Sequence, residues 1–326
     1  MRSLPAVMAA MLLLTACGTT EAPVAPVAPA TPEPSASAAV PITVTDARGK
    51  QVTLDRPATR VVGLEWGEVE MLVALGVQPV GAADVKGYGT WVTAAPLDAS
   101  VKDVGTRQEP SVDSIAALQP DLVVMESDDA GLIGQLEKIA PVIVAKGSDA
   151  AANLTRMSAD LTMLATAVGR TEEAAKVMAD FDAAMADGKA KIAASGSAGQ
   201  KFMMADGWKD GSKISIRPFG KGSLVSDVAE RLGLANAWTG EVDRQWGLGS
   251  TDVEGMTAVK DENLRFFYNA SDGADVFADL AGNALWKSLS FVKQNRISKL
   301  PDGIWTFGGP LSCRQYADAL VKAYAG

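Results

Sequence analysis

Arg107 stands in Val104-Gly105-Thr106-Arg107-Gln108-Glu109-Pro110, a segment between two predicted elements. A guanidinium there can aim its planar fork of N–H donors at the oxygens of a bound ligand, lie solvated, or pair with Glu109. Trp66, Trp91, Trp238, Trp246 and Trp305 sit beside glycines or at the edges of short apolar runs, the surroundings of loops and strand ends. Rings so placed on two lobes can line a shared cleft and give a ligand large, rigid contact area, although each taken singly also fits partly buried packing. Trp286, inside the helical Ala284–Leu289, reads as core. There is no histidine in the 326 residues. A Ser-His-Asp triad, a histidine-based zinc site and a His-ligated haem are therefore excluded. No paired-carboxylate motif, nucleophile elbow or phosphate loop is present, so the pattern is that of a binder, with a secreted hydrolase as the distant alternative.

The two cysteines carry different readings. An apolar run from Ala6 to Leu14 leads into Leu14-Thr15-Ala16-Cys17, a secretory signal ending in a lipobox. Residues 1–16 are thus expected to be removed and Cys17 to carry the lipid of a membrane-anchored lipoprotein; multiple acyl chains hold a protein where one does not. Residues 17–40, rich in Ala and Pro with Pro23, Pro26, Pro29, Pro32 and Pro34, form a semi-extended tether. That leaves Cys313 without a disulfide partner, so stability must come from apolar cores. The formal charge of −9 argues against nucleic acid as a partner.

These residues must be positioned by alternating α/β units that begin at Pro41. Strands are expected at Arg60–Leu64, Pro79–Ala83, Asp121–Met125 and Val142–Ala145, with helices at Glu68–Leu75, Val112–Leu118 and Leu132–Ala140. A helical region runs from about Ala151 to Ala194 and breaks near Gly169. Its second half has Thr171 as the expected N-cap, Glu172 and Glu173 in the first turn, and Val177, Phe181, Met185 and Ile192 on one side. At about 1.5 Å per residue it reaches roughly 36 Å, enough to join two lobes. Strands at Lys201–Ala205, Ile214–Ile216, Leu264–Asn269 and Ile304–Phe307, with helices at Leu224–Leu232, Val276–Leu280 and Gln315–Ala325, complete the pattern. The predicted architecture is α/β: an N-terminal lobe (41–169), an inter-lobe helix (170–194) and a C-terminal lobe (195–326), with a ligand cleft between the lobes.

Several segments carry a resemblance. Val62-Gly63-Leu64-Glu65-Trp66, Leu72 to Gly76, Ala83-Asp84 with Tyr88 and Trp91, and Asp103 to Pro110 resemble the N-lobe of periplasmic ferric-hydroxamate binding proteins. Phe219-Gly220-Lys221-Gly222-Ser223-Leu224, Asn236-Ala237-Trp238, Gly240-Glu241, Trp246, Leu285-Trp286, Phe291-Val292 and Ile304-Trp305 continue the match in order through the C-lobe. It covers nearly everything from about residue 42 to the end.

The resemblance implies a two-lobed binding protein with a single bridging helix, limited hinge closure, and a ferric siderophore as ligand. It implies that Arg107 donates to hydroxamate oxygens, so that the chelator holds the iron and the protein supplies neither metal ligand nor cofactor. Trp66, Trp91, Trp238, Trp246 and Trp305 match cleft-lining positions. Two departures stand out: the family's tyrosine after the Asp121–Met125 strand falls near Asp128 or Asp129, and Phe307 replaces a second tyrosine. Arg217 stands where the family has an apolar pocket residue, a possible second cation suited to carboxylate or catecholate ligands. A ferric catecholate or citrate complex, haem or a corrinoid on the same fold are the alternatives. The resemblance further implies docking to an ABC transporter permease through Asp113 and Glu254; the chain is expected to be a monomer, lipid-anchored to the outer face of the cytoplasmic membrane.

Overall fold

The computed structural model describes residues 41–126, 131–211, 213–271 and 273–326. Cys17, the signal and tether, and Asp128 and Asp129 lie outside the described residues.

The chain enters through an antiparallel hairpin, β1 (Ile42–Thr45) and β2 (Gln51–Leu54). The first lobe follows as β3 (Val61–Gly63), α1 (Trp66–Ala74), β4 (Gly81–Ala82), α2 (Val85–Trp91), β5 (Lys102–Asp103), α3 (Val112–Ala117), β6 (Leu122–Glu126), α4 (Ile133–Leu136) and β7 (Val142–Ala145). Its five strands are all parallel, in the order β5-β4-β3-β6-β7. Apart from the edge strand β5, whose Lys102 and Asp103 are exposed, they are short and largely apolar because helices cover both faces; Val61, Val62, Val123, Val124 and Ile143 have no exposed surface. The strand order reverses between β3 and β6, and a crevice opens beyond the carboxyl ends of strands at such a switch point. Glu65 and Trp66, after β3, and Glu126, closing β6, are placed at that crevice by topology alone.

Two helices lead across: α5 (Asn153–Val168), ended by Gly169 at φ 66, and the 24-residue α6 (Thr171–Ala194). Thr171 does not cap α6. It is the first helical residue, and Arg170 at φ −126 takes the cap position with no side-chain bond, the turn before it being closed by Arg170 N donating to Ala165 O.

The second lobe comprises β8 (Lys201–Asp210), β9 (Lys213–Phe219), α7 (Leu224–Arg231), β10 (Ala235–Asn236), a 3₁₀ turn at Gly255–Ala258, β11 (Arg265–Tyr268), α8 (Val276–Asp279), α9 (Ala284–Ser288), α10 (Ser290–Lys293), β12 (Ile297–Lys299) and α11 (Pro310–Ala325). Strands β10-β8-β11-β12 are parallel. β9 runs antiparallel to β8 on the edge away from β11. β8 pairs with β11 only as far as Ala205, so Asp206–Asp210 and Lys213–Arg217 continue past the sheet as a two-stranded ribbon.

Ile304–Phe307 does not form the expected strand. The sheet position beside β11 is taken by β12, and the backbone around 304 is held in a turn instead: Asn269 Nδ2 donates to Ile304 O (2.7 Å), and Thr93 N and Oγ1 donate to Gly303 O (3.0 and 2.9 Å). Its apolarity serves the space between the lobes.

The largest apolar core draws on both sheets, with Val61, Val124 and Ile143 from the first and Phe202, Met204 and Phe267 from the second. It joins Leu72 of α1, Leu164 of α5, Phe181 and Met185 of α6, Val228 of α7 and Tyr316 and Leu320 of α11 into one cluster with residues of both lobes. Smaller cores lie within each lobe: Val62, Val123 and Val144 in the first, and Phe266, Phe277, Trp286 and Phe291 in the second, where Trp286 is buried as expected.

Candidate ligand-binding site

A cleft of about 670 Å³ opens between the lobes, lined by Trp66, Trp91 and Arg107 from the first, by Asp206, Trp208 and Arg217 from the ribbon, and by Trp305 and Phe307. A second hollow of about 430 Å³ shares Arg107, Arg217, Trp305 and Phe307 and is walled by Glu65, Glu126 and Trp246.

The N-lobe wall is built at the switch point. Glu65 ends the β3 loop in extended backbone and caps α1, its Oε1 accepting from Trp66 N (3.0 Å). The Trp66 ring is fixed by Nε1 donating to Ala83 O (3.2 Å) and by an edge contact with Tyr88. The loop carrying Arg107 is pinched shut by the Gly105–Pro110 bridge and by Ser111 N donating to Val104 O (2.7 Å). Arg107 Nη1 donates to Glu65 Oε1 at 2.6 Å, and the guanidinium lies 4.1 Å over Trp66 and 5.5 Å from Trp305. Arg107 therefore pairs with Glu65 and not with Glu109, whose N–H donates to Thr106 Oγ1. Glu65 was invisible as a partner in sequence, 42 positions away.

The C-lobe wall begins on the ribbon. Asp206 and Arg217 face each other across β8 and β9, and Nε donates to Oδ1 at 2.8 Å while Nη2 donates to Oδ2. Burial pushes the Asp206 carboxyl above the usual aspartate range, and Arg217 pulls it back. Arg217 does face the cleft, but as half of an ion pair, so it is not the free second cation that its sequence position suggested. Its guanidinium lies 5.3 Å from the Phe307 ring and 5.7 Å from that of Trp208.

These contacts make a continuous aromatic floor. Trp305 meets Trp66 at 4.9 Å, Trp91 at 6.1 Å and Phe307 at 5.2 Å, and Phe307 meets Trp246 at 5.4 Å. Trp66 and Trp91 start and end helices, α1 and α2, and do not sit in loops. Trp238 is not brought to this floor: it packs against the C-lobe core, with Nε1 donating to Glu241 O (3.4 Å). Trp208, absent from the residues singled out in sequence, lines the cleft. Asp113, in the first turn of α3, and Glu254, before the 3₁₀ turn, are both exposed, one on each lobe.

Beneath the floor lies a buried ionic cluster. Arg156 Nη1 donates to Asp160 Oδ2 (3.1 Å), and Glu68, 1% exposed, sits beside them. Burial first, then Asp160 and Glu65, push the Glu68 carboxyl up to about 8, against the pull of Arg156. Among the described residues no group of three His, Cys, Asp or Glu is placed to hold a metal ion, and no helix is long and apolar enough to cross a membrane.

Two parallel-sheet lobes facing each other across a wide aromatic cleft, with arginines held by carboxylates, are the equipment of a protein that captures a ligand. The chain belongs to the family described as "Periplasmic binding protein", whose profile matches residues 61–303; members of this family are substrate-binding proteins. It is 28% identical over 267 residues to the iron(3+)-hydroxamate-binding protein FhuD of Escherichia coli, covering 82% of this chain and 87% of that protein. It is 26% identical over 282 residues to the Fe(3+)-citrate-binding protein YfmC of Bacillus subtilis, covering 86% and 85%. Among solved structures, the siderophore-binding protein FhuD from Vibrio cholerae with bound Fe3+-Desferal superimposes with a TM-score of 0.73 at 26% identity, covering 82% of this chain and 98% of that one.

Proposed function

We propose that this chain captures a ferric siderophore of the hydroxamate type and delivers it to the permease of an ABC importer. The observation that carries the hydroxamate class is the charge state of the cleft. Both arginines are already matched by carboxylates, Arg107 by Glu65 and Arg217 by Asp206, and Glu126 adds a further acid to the wall. A polyanionic complex gains little from neutralised cations and meets carboxylates behind them. A neutral trihydroxamate complex instead offers an apolar shell for the tryptophans and iron-bound oxygens rich in partial negative charge. Arg107 has five N–H donors and commits Nη1 to Glu65, so others remain for those oxygens. The chelator keeps the iron, and no resident cofactor is required. The kinship with hydroxamate-binding proteins supports the same reading.

The same proposal includes a lipid on Cys17 that holds a monomer at the outer face of the cytoplasmic membrane, supported by the lipobox, and docking of Asp113 and Glu254 to the permease, which the family resemblance implies. Titrating the protein with ferrioxamine B, ferrichrome, a ferric catecholate and ferric citrate, followed by tryptophan quenching, tests the ligand class. The hydroxamates are expected to bind at least tenfold tighter than the anionic complexes. Arg107→Ala should weaken ferrioxamine B about ten- to a hundredfold, the usual worth of a charge-assisted hydrogen bond, and Arg107→Lys should restore only part of it. Preference for the catecholate or citrate, or an Arg107→Ala variant binding as tightly as the parent, would refute the hydroxamate assignment.

A further inference from the structure

Trp208 is the one large apolar side chain left exposed among the described residues, at 48%. A single exposed ring is ordinary on a protein surface; what singles out Trp208 is its place on the cleft wall. Along a strand, side chains alternate between faces, and the ribbon uses both.

One face of the ribbon is anchored. Ile216 is buried in the C-lobe core with Val276 and Phe277. Gly207, opposite Ile216, lies so close to Ser215 O, Val276 and Phe277 that a Cβ there would meet them at 2.9, 3.2 and 3.3 Å. Lys209, on the same face, makes an exposed ion pair with Asp279 of α8 at 2.5 Å at the edge of the cleft that both residues also line. The other face carries Asp206, Arg217 opposite it, and Trp208 one step further out, opposite Ser215. All three line the cleft. The order of groups from the N-lobe outward is thus Trp66 and Trp91, Trp305, Phe307, Arg217 and Trp208, with the Arg217 guanidinium between the Phe307 and Trp208 rings. The aromatic floor does not stop where the parallel sheet ends; the ribbon extends it past the sheet.

We propose that Trp208 is a ligand-contacting, specificity-determining residue, which covers the organic shell of the bound ferric complex from the C-lobe side and is itself covered in return. This rests on the proposed capture of a ferric siderophore. The anchored ribbon means that the ring is pre-positioned, so its contact adds affinity without first ordering a loop. A complex with a broad organic shell reaches Trp208, whereas a compact one bound deep against Arg107 does not.

The test compares Trp208→Ala and Trp208→Phe with the parent protein for ferrioxamine B and ferric citrate. Binding is measured by calorimetry or ultrafiltration, since removing a tryptophan changes the fluorescence baseline. Thermal unfolding of each variant checks that the fold is intact. Trp208→Ala should weaken ferrioxamine B at least tenfold, Trp208→Phe no more than about threefold, and the loss for the smaller citrate complex should be under threefold. An unchanged ferrioxamine B affinity in Trp208→Ala overturns the proposal. Unchanged affinity with lost uptake by cells overturns it too, and assigns the ring to a protein partner. Should the parent bind the citrate complex and no hydroxamate, the hydroxamate reading fails separately; a tenfold loss on citrate in Trp208→Ala would then uphold the contact but overturn its selectivity for broad complexes. A parent that binds no ferric complex refutes both.

Discussion

Replacing Glu68 with glutamine removes a carboxyl that burial holds up to about 8 against an ordinary value of 4.5. The groups facing it are Arg156 and Asp160 of α5 and Glu65 at the start of its own helix. Between those two pH values the folded chain keeps the Glu68 proton while the unfolded chain has released it. The folded state therefore binds more protons, and stability falls as pH rises from about 4.5 to about 8, then no longer changes on account of this group. At about 1.36 kcal/mol per pH unit the whole window is worth roughly 4–5 kcal/mol, and the span from pH 5 to 7.5 about 3 kcal/mol. Glutamine resembles the protonated carboxyl in size and carries no charge, so it should lose this dependence. Urea unfolding of parent and Glu68→Gln at pH 5 and pH 7.5 gives the stability difference at each. The variant should gain about 3 kcal/mol on the parent between the two conditions. Taking the difference cancels the titrating groups that do not interact with Glu68; Asp160 and Glu65, which face it, stay coupled to the change. A difference that stays constant within about 1 kcal/mol would show that Glu68 is ionised in the fold, paired to Arg156 more strongly than the burial argument allows.

Arg217→Leu should leave ferrioxamine B affinity within threefold of the parent while costing about 1–2 kcal/mol of stability at neutral pH, because Asp206 loses its partner in a partly covered site. Adding Asp206→Asn should return most of that stability in urea unfolding, and failure to do so would mean that the ion pair is not the reason for the cost. Asp113→Ala with Glu254→Ala should abolish cellular uptake of the ferric complex with affinity unchanged; normal uptake would leave Asp113 an ordinary first-turn acid and Glu254 an exposed acid before a 3₁₀ turn.

The path from residues to fold was readable where local chemistry decides. Val142–Ala145 lies in its expected place, and the helix break at Gly169 follows from a residue that tolerates left-handed backbone. Ile304–Phe307 misled because an apolar run facing an inter-lobe space has the same composition as a buried strand. Glu65 could not be paired with Arg107 by inspection, since the topological switch that brings them together is a property of strand order. Asp206 could have been found. Gly211-Ser212 is a two-residue hairpin signal, and counting outward from the Asp210–Lys213 pair reaches Asp206 opposite Arg217. The same count places Trp208 on their face.

The apolar core shared by α1, α5, α6, α7 and α11 has a consequence for how an occupied molecule can be told from an empty one. Prising the lobes apart would part α1 from α11 and α5 from α7 and wet buried side chains of that shared core. At about 25 cal/mol per Å², uncovering even 400 Å² would demand about 10 kcal/mol, as much as many domains hold in total. Gross outline is therefore expected to change by only a few degrees of lobe rotation on loading, which scattering from the empty and loaded protein checks. News of occupancy would then be written at the cleft rim, in the groups a ligand covers.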